Sequence, residues 1–182
     1  MPFEFKLHKL EDVVATVLSE VSELRQEKSL DLKMVSPVVG TMAALDDAKM
    51  IQVVRNRLSN AIKFSPDGKS IRISYDETRL PVARSSSDGE SIPALRLLVS
   101  DEGVGIPEGE LESVFDKFVQ SSKTRTGAGG TGLGLAICKE IVEGHGGIIR
   151  AEHNPVGGAV FTVFLPRSQS VAMDSIGFAD LG

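Results

Sequence analysis

Between an apolar strand at Leu95–Val99 and an apolar helix that begins at about Leu133 lie 30 residues, Glu102 to Thr131, rich in Gly, Ser and Thr. Inside a compact domain a loop this long is ordinarily functional.

Leu10, Val13, Val14, Val17, Leu18, Val21 and Leu24 recur at helical spacing, which predicts a helix over Leu7 to Glu27. Leu30, Leu32 and Met34 alternate with charged residues as a half-buried strand, and Thr41 to Leu45 reads as a short second one. Asp46 is a natural N-cap for a second helix reaching Phe64, where Ser65-Pro66-Asp67-Gly68 stops it. Ile71, Ile73 and Tyr75 alternate as a strand. Leu95–Val99 is expected to be central and buried on both faces. One short helix is expected near Glu108 to Phe115, a third long one from Leu133 to Glu143, and a hairpin from Ile148–Glu152 and Val160–Phe164 around Asn154–Gly158. Arg84–Ser91 reads as a mobile hairpin loop.

The order helix, strands, helix, strands, loop, helix, hairpin predicts a two-layer α/β sandwich of the α+β kind. It has a mixed, mostly antiparallel sheet and about three helices on one face. Residues 1–166 form the expected domain, and 167–182, which lack any period, a disordered tail or linker.

The chain has 182 residues, 41% of them hydrophobic and 25% charged, as in ordinary globular proteins. With 25 acids against 20 bases, the balance gives little support to a nucleic-acid or anionic-membrane surface. The single cysteine, Cys138, excludes an internal disulfide and a multi-cysteine metal site. No apolar run approaches the 18 residues or so that a membrane helix needs, and Met1–Leu10 has no signal-like apolar stretch. These features suit a reducing, aqueous, cytoplasmic setting, with no direct membrane contact by this chain even where a longer parent is membrane-anchored.

Four clusters carry chemistry. Asn56, Asn60 and Lys63 fall at i, i+4 and i+7, one row on the second helix: two amides, whose oxygens suit Mg²⁺, and an ammonium, which suits phosphate. An ordinary solvated helix face would show the same pattern. Asp101-Glu102-Gly103-Val104-Gly105-Ile106-Pro107 puts a carboxylate at a strand end beside two glycines. There a flat ligand can approach the backbone, and an exocyclic amine such as adenine's can donate to Asp101. A plain Asp-Gly turn is the alternative. Gly127 to Leu135, including Thr131, Gly132, Leu133 and Gly134, opens the third helix and offers N–H groups to an anion. No strand precedes it, so its G-x-G-x-x-G pattern is not a dinucleotide fingerprint. Finally, Phe115 and Phe118 bracket Asp116-Lys117 as anchors of the long loop, to which Lys117, Lys123 and Arg125 give positive charge.

In order and spacing, N-R-L-S-N-A-I-K-F (Asn56–Phe64), D-E-G-V-G-I-P (Asp101–Pro107), V-F-D-K-F (Val114–Phe118) and G-T-G-L-G-L (Gly130–Leu135) resemble the nucleotide-binding boxes of the histidine-kinase ATP-binding domain. That domain belongs to the superfamily of gyrase, Hsp90, histidine kinases and MutL, and the resemblance spans Phe3 to Pro166. It implies an α/β sandwich with ATP held under a lid. By position, Asn60 would hold Mg²⁺, Asn56 would support metal and phosphates, Lys63 would contact phosphate and Asp101 would bind the adenine amine. Gly103, Gly105 and Ile106 would shape the purine pocket, and Thr131, Gly132, Leu133, Gly134 and Leu135 would face the phosphates. Phe64, Phe115, Lys117, Phe118, Lys123 and Arg125 would complete the ATP-binding set, with Asn56 and Lys63 as the catalytic pair.

The resemblance implies a sensor kinase whose phosphoacceptor histidine lies on a missing dimerisation domain, with a response regulator downstream. The chain is then one piece of a larger protein, inactive in autophosphorylation alone. It departs from the family pattern in two ways. Gln120 stands where many members have a lid arginine. None of His8, His145 and His153 has a phosphoacceptor context, and all three read as structural or solvated. The ATPase branches place a water-activating Glu four residues before the metal Asn; here Asn56 stands there, which favours kinase over hydrolase. A non-catalytic ATP sensor and a serine-kinase anti-sigma relative are the other readings.

Overall fold

The computed structural model describes residues 2–35, 42–81, 90–116 and 134–169. The expected loop at 84–91 and the tail therefore lie mostly outside the described residues.

The chain opens with strand β1 (Lys6–Lys9), then helices α1 (Leu10–Glu20) and α2 (Ser22–Glu27), strands β2 (Asp31–Val35) and β3 (Met42–Leu45), and helix α3 (Asp47–Phe64). Strands β4 (Ser70–Pro81) and β5 (Ser91–Asp101) follow, then two single 3₁₀ turns at Glu108–Glu110 and Ser113–Phe115, helix α4 (Gly134–Gly144), and strands β6 (Ile148–His153) and β7 (Ala159–Pro166). The main sheet runs β2-β4-β5-β7-β6, with β2 parallel to β4 and every other pair antiparallel. A second sheet pairs β1 with β3.

Alternation decides which face is covered. Ile71, Ile73 and Tyr75 of β4, Leu95, Leu97 and Val99 of β5, and Val163 and Leu165 of β7 are buried against Leu10, Val13, Val14 and Val17 of α1, Val53, Val54 and Leu58 of α3, and Cys138 and Val142 of α4. This is the two-layer sandwich expected from the sequence, with four α-helices among the described residues rather than about three.

Three expectations need correction. The helix over Leu7–Glu27 is not continuous. Residues 6–9 are engaged in the ladder with β3, which leaves Leu7 69% exposed. At Val21 the backbone leaves helical geometry (φ −94°, ψ 5°), and α2 buries no residue at all. Strand β5 is central but buried on one face only: Arg96 turns outward and forms a two-pronged pair with Asp76 on β4. A mostly antiparallel sheet with helices on one side leaves the other face to polar groups. The short helix near Glu108–Phe115 is two separate 3₁₀ turns, in a segment whose Gly109 weakens helical continuity.

The first residues after β7 are tied to the domain. Arg167 donates its N–H to Pro93 O (3.0 Å), accepts from Ala44 N–H (2.9 Å) and pairs with Glu77. Gln169 is buried and donates to His145 O at 2.7 Å.

Candidate nucleotide-binding site

The row on α3 is aimed by what fixes the two ends of the helix. At the start, Asp46 Oδ1 accepts the N–H of Lys49 (3.1 Å) and Oδ2 that of Glu4 (3.0 Å), so one carboxylate caps the helix and holds the N-terminal segment. Its pKa lies below the usual value: burial opposes this, but both backbone donors and Lys49 outweigh it. At the end, Lys28 Nζ donates to the carbonyls of Ile62 (2.7 Å), Lys63 (3.0 Å) and Ser65, closing the last turn with a cation.

Between these ends Asn56 and Asn60 are half-buried and joined by a long amide contact, Asn60 Nδ2 to Asn56 Oδ1 at 3.4 Å. Lys63 is exposed, its Nζ 5.2 Å from the centroid of the Phe64 ring. Gly134, the first residue of α4, presses on this row: a Cβ there would lie 2.2 Å from Asn56 Nδ2. Any larger residue there would push the Asn56 amide aside.

Asp101 ends β5 and is almost wholly buried. Its Oδ1 accepts the N–H groups of Gly103 (2.9 Å) and Ala159 (3.2 Å), its Oδ2 accepts from Arg57 Nη2 (2.7 Å), and its carbonyl accepts from Asn154 Nδ2 (2.8 Å). The loop after it is packed tightly. A Cβ on Gly103 would meet Phe64 O at 2.7 Å, and Gly158 (φ +92°) lies so close that a Cβ would meet Asp101 O at 2.2 Å. Gly105 has φ +73°. The end of β5 thus reaches the middle of α3 through Asp101 and Arg57 and its last turn through Gly103 and Phe64, while the start of α4 meets the same helix at Asn56.

Ile106 and Phe115 sit differently. Both are buried in a second, smaller core with Val114, Ala159 and Phe161, on which Leu135 packs; the Phe115 and Phe161 rings meet edge to face at 6.0 Å. They tie the described part of the loop, residues 102–116, to β7. Lys117, Phe118, Gln120, Lys123, Arg125, Thr131, Gly132 and Leu133 lie outside the described residues.

Sequence reasoning gave no role to Arg57 or Asn154. Arg57 was legible: it is four residues from both Val53 and Ala61, on the buried side of α3. Asn154 carried no signal beyond its turn.

The histidine reading is bound up with the fold. His145 is fully buried; Nε2 accepts the N–H of Asp46 (3.0 Å), Nδ1 lies 2.8 Å from Ile141 O, and the rings of Phe3 and Phe5 meet it edge-on at 5.3 Å. Burial pushes its pKa down, against the pull of Ile141 O and Asp46. Both ring nitrogens are in use, so it has no free nucleophile.

Among the described residues no three His, Cys, Asp or Glu side chains gather as a metal cage. A magnesium ion here would need little from the protein, since it keeps waters and takes ligand phosphates; one neutral amide oxygen, that of Asn60, fits that chemistry.

A family model described as histidine kinase-, DNA gyrase B-, and HSP90-like ATPase matches residues 45–169, more than half of the chain. The chain belongs to this family. Within it, the similarity is to histidine kinases. Hybrid signal transduction histidine kinase D of Dictyostelium discoideum is 38% identical over 168 residues, 91% of this chain and 10% of that protein. Sensor histidine kinase WalK of Bacillus subtilis is 38% identical over 145 residues, 79% of this chain and 22% of its own length. The chain therefore spans well under a third of the length of these relatives. Among solved structures, the catalytic domain of histidine kinase ThkA superposes with a TM-score of 0.76 at 26% identity, covering 92% of this chain and 99% of that one. Mycobacterial MprB gives 0.72 at 26% identity, covering 90% and 97%. The fold expected from the sequence is the fold of these catalytic domains. No described helix is long and apolar enough to cross a membrane.

Proposed function

We propose that this chain is the ATP-binding catalytic domain of a sensor histidine kinase. It binds Mg-ATP and presents the γ-phosphate to a histidine on a separate dimerising domain, from which a response regulator takes the phosphoryl group. One observation supports the reading: Asp101 at the end of β5 is bound by Arg57 on the same helix that carries the Asn56–Asn60 row, and Gly134 at the start of α4 meets that row at Asn56. A purine donor fits the first and a phosphate–metal group the second.

Transfer is a displacement at the γ-phosphorus. A nitrogen of the acceptor imidazole forms the new P–N bond while the bond to the β–γ bridging oxygen breaks, and ADP leaves. Such a reaction needs placement and charge neutralisation more than covalent help from the enzyme. Asp101 accepts the adenine amine and fixes the base. Asn60 would hold the magnesium, which would neutralise phosphate charge. Lys63, exposed at the end of the row, meets phosphate, and Lys117, Lys123 and Arg125 of the long loop add charge. Asn56, an amide, is no general base and leaves water unactivated, so the acceptor must arrive with its own base. A histidine kinase ThkA has been solved in complex with response regulator TrrA, the kind of partner this reading requires. The cytoplasm is the compartment proposed for this domain.

Titration calorimetry of the 182-residue chain with Mg-ATP, Mg-GTP and ADP tests the first half. Binding of the adenine nucleotides in preference to GTP is expected; no Mg-ATP binding refutes the reading. Adding a dimerisation domain and γ-labelled ATP tests the second half. Label on histidine supports it, label on serine replaces it with the anti-sigma type, and binding without transfer leaves an ATP sensor.

A further inference from the structure

Arg57 is a cation in the wrong place for an ordinary surface helix. Its neighbours include Val54, Leu97, Val99, Cys138 and Val163, and only 12% of its side chain is exposed. Its Nε is buried and has no hydrogen-bond partner among the described residues. The guanidinium lies over the Phe161 ring, its carbon 3.7 Å from the centroid. An apolar side chain would suit these surroundings, and a buried ion pair adds little or nothing to stability over an apolar pair. Fold stability alone gives no reason for the charge.

What the arginine does is pin a carboxylate. Each carboxylate oxygen has two acceptor sites. On Asp101 both sites of Oδ1 are taken by backbone donors from two different segments, Gly103 and Ala159. One site of Oδ2 is taken by Arg57 Nη2. Gly103 and Gly158 close over the same group without room for a Cβ. The carboxylate cannot turn about its Cβ–Cγ bond without breaking three bonds at once, and with the described residues as partners a single acceptor site remains, on Oδ2.

We propose that Arg57 is a positioning residue for base recognition: held against Phe161, it orients Asp101 from the core side so that its last acceptor site meets the exocyclic amine of a 6-aminopurine. The inference rests on the nucleotide reading above. Without Arg57, Oδ2 has two open sites and the carboxylate can swing, so the amine loses its fixed partner while the sugar and phosphates lose nothing.

The test compares ATP with purine riboside triphosphate, which lacks only the 6-amino group, on the full chain, with folding checked by circular dichroism. The wild type is expected to prefer ATP by ~10- to 100-fold, the range of a hydrogen bond to a charged group. In Arg57→Leu the preference is expected to fall below ~3-fold, with affinity for the 6-H nucleotide unchanged. Arg57→Lys keeps charge but loses the planar fork and the stack; its preference is expected to fall between the two, and it serves where the leucine variant does not fold. Equal weakening of both nucleotides in either variant would show a merely structural arginine. A raised preference for ATP would show that Arg57 competes with the amine. Either result overturns the proposal while the nucleotide reading stands; a wild type that binds neither nucleotide removes both.

Discussion

Substituting Asp101 by Asn keeps the shape of the side chain and removes its charge, and the structure says where the penalty falls. An amide has one oxygen. If that oxygen faces the Gly103 and Ala159 N–H groups, the NH₂ faces Arg57 Nη2, donor against donor. The guanidinium, whose Nε has no partner among the described residues, is then left charged and largely buried. Orphaning one member of a buried pair costs about 3–5 kcal/mol, which for a chain of this length lowers Tm by ~6–20 °C. The opposite cut is milder. In Arg57→Leu the carboxylate keeps two backbone donors and the leucine enters apolar surroundings, so a loss below ~2 kcal/mol is expected. In the double variant no charge is left alone, and most of the loss seen in Asp101→Asn is recovered. Urea denaturation of the four proteins reads these values as a double-mutant cycle. Equal single losses that add in the double variant would refute the reasoning.

Three further predictions follow from other parts of the structure. Lys28→Met removes the cation that closes α3 and is expected to cost ~1.5–3 kcal/mol in urea denaturation, with helix content retained. His145 has a pKa pushed below its ordinary value by burial, so the unfolded chain takes up the proton first as pH falls; its contribution is complete above about pH 6.5 and is lost as pH drops through the folded-state value. Thermal melts between pH 7.5 and 5 are expected to fall in Tm, and a His145→Gln variant, less stable at neutral pH, is expected to show a flatter profile; a parallel profile would contradict this. Asn56→Glu supplies a general base beside the metal position and is expected to raise ATP hydrolysis toward ~10²-fold, measured as phosphate release; unchanged turnover would count against the role given to Asn56.

The long α3 was legible almost to the residue, because its signals are local: Asp46 caps its own first turn, and Pro66 and Gly68 stop the chain just beyond Phe64. The β6–β7 hairpin was legible for the same reason. The first helix was misjudged because Leu7 satisfies the helical period while its backbone is claimed by β3, a pairing nearly 40 residues away that no local pattern encodes. Strand β5 was judged too buried because the reading passed over Arg96, whose partner Asp76 is on the neighbouring strand.

By itself the sequence determined the chemistry on offer: two amides and an ammonium in one helical row, a carboxylate closing an apolar strand, and glycines where another helix begins. Those follow from residue type and from the 3.6-residue and two-residue periods, which any short window of the chain contains. Only the tertiary structure decided how Asp101 is held, since its carboxyl group is gripped from α3, from its own loop and from β7, residues 57, 103 and 159. Hydrogen bonds and steric exclusion act over about 3 Å of space whatever the separation along the chain, so the rigidity of that one acceptor exists only once the sandwich has closed.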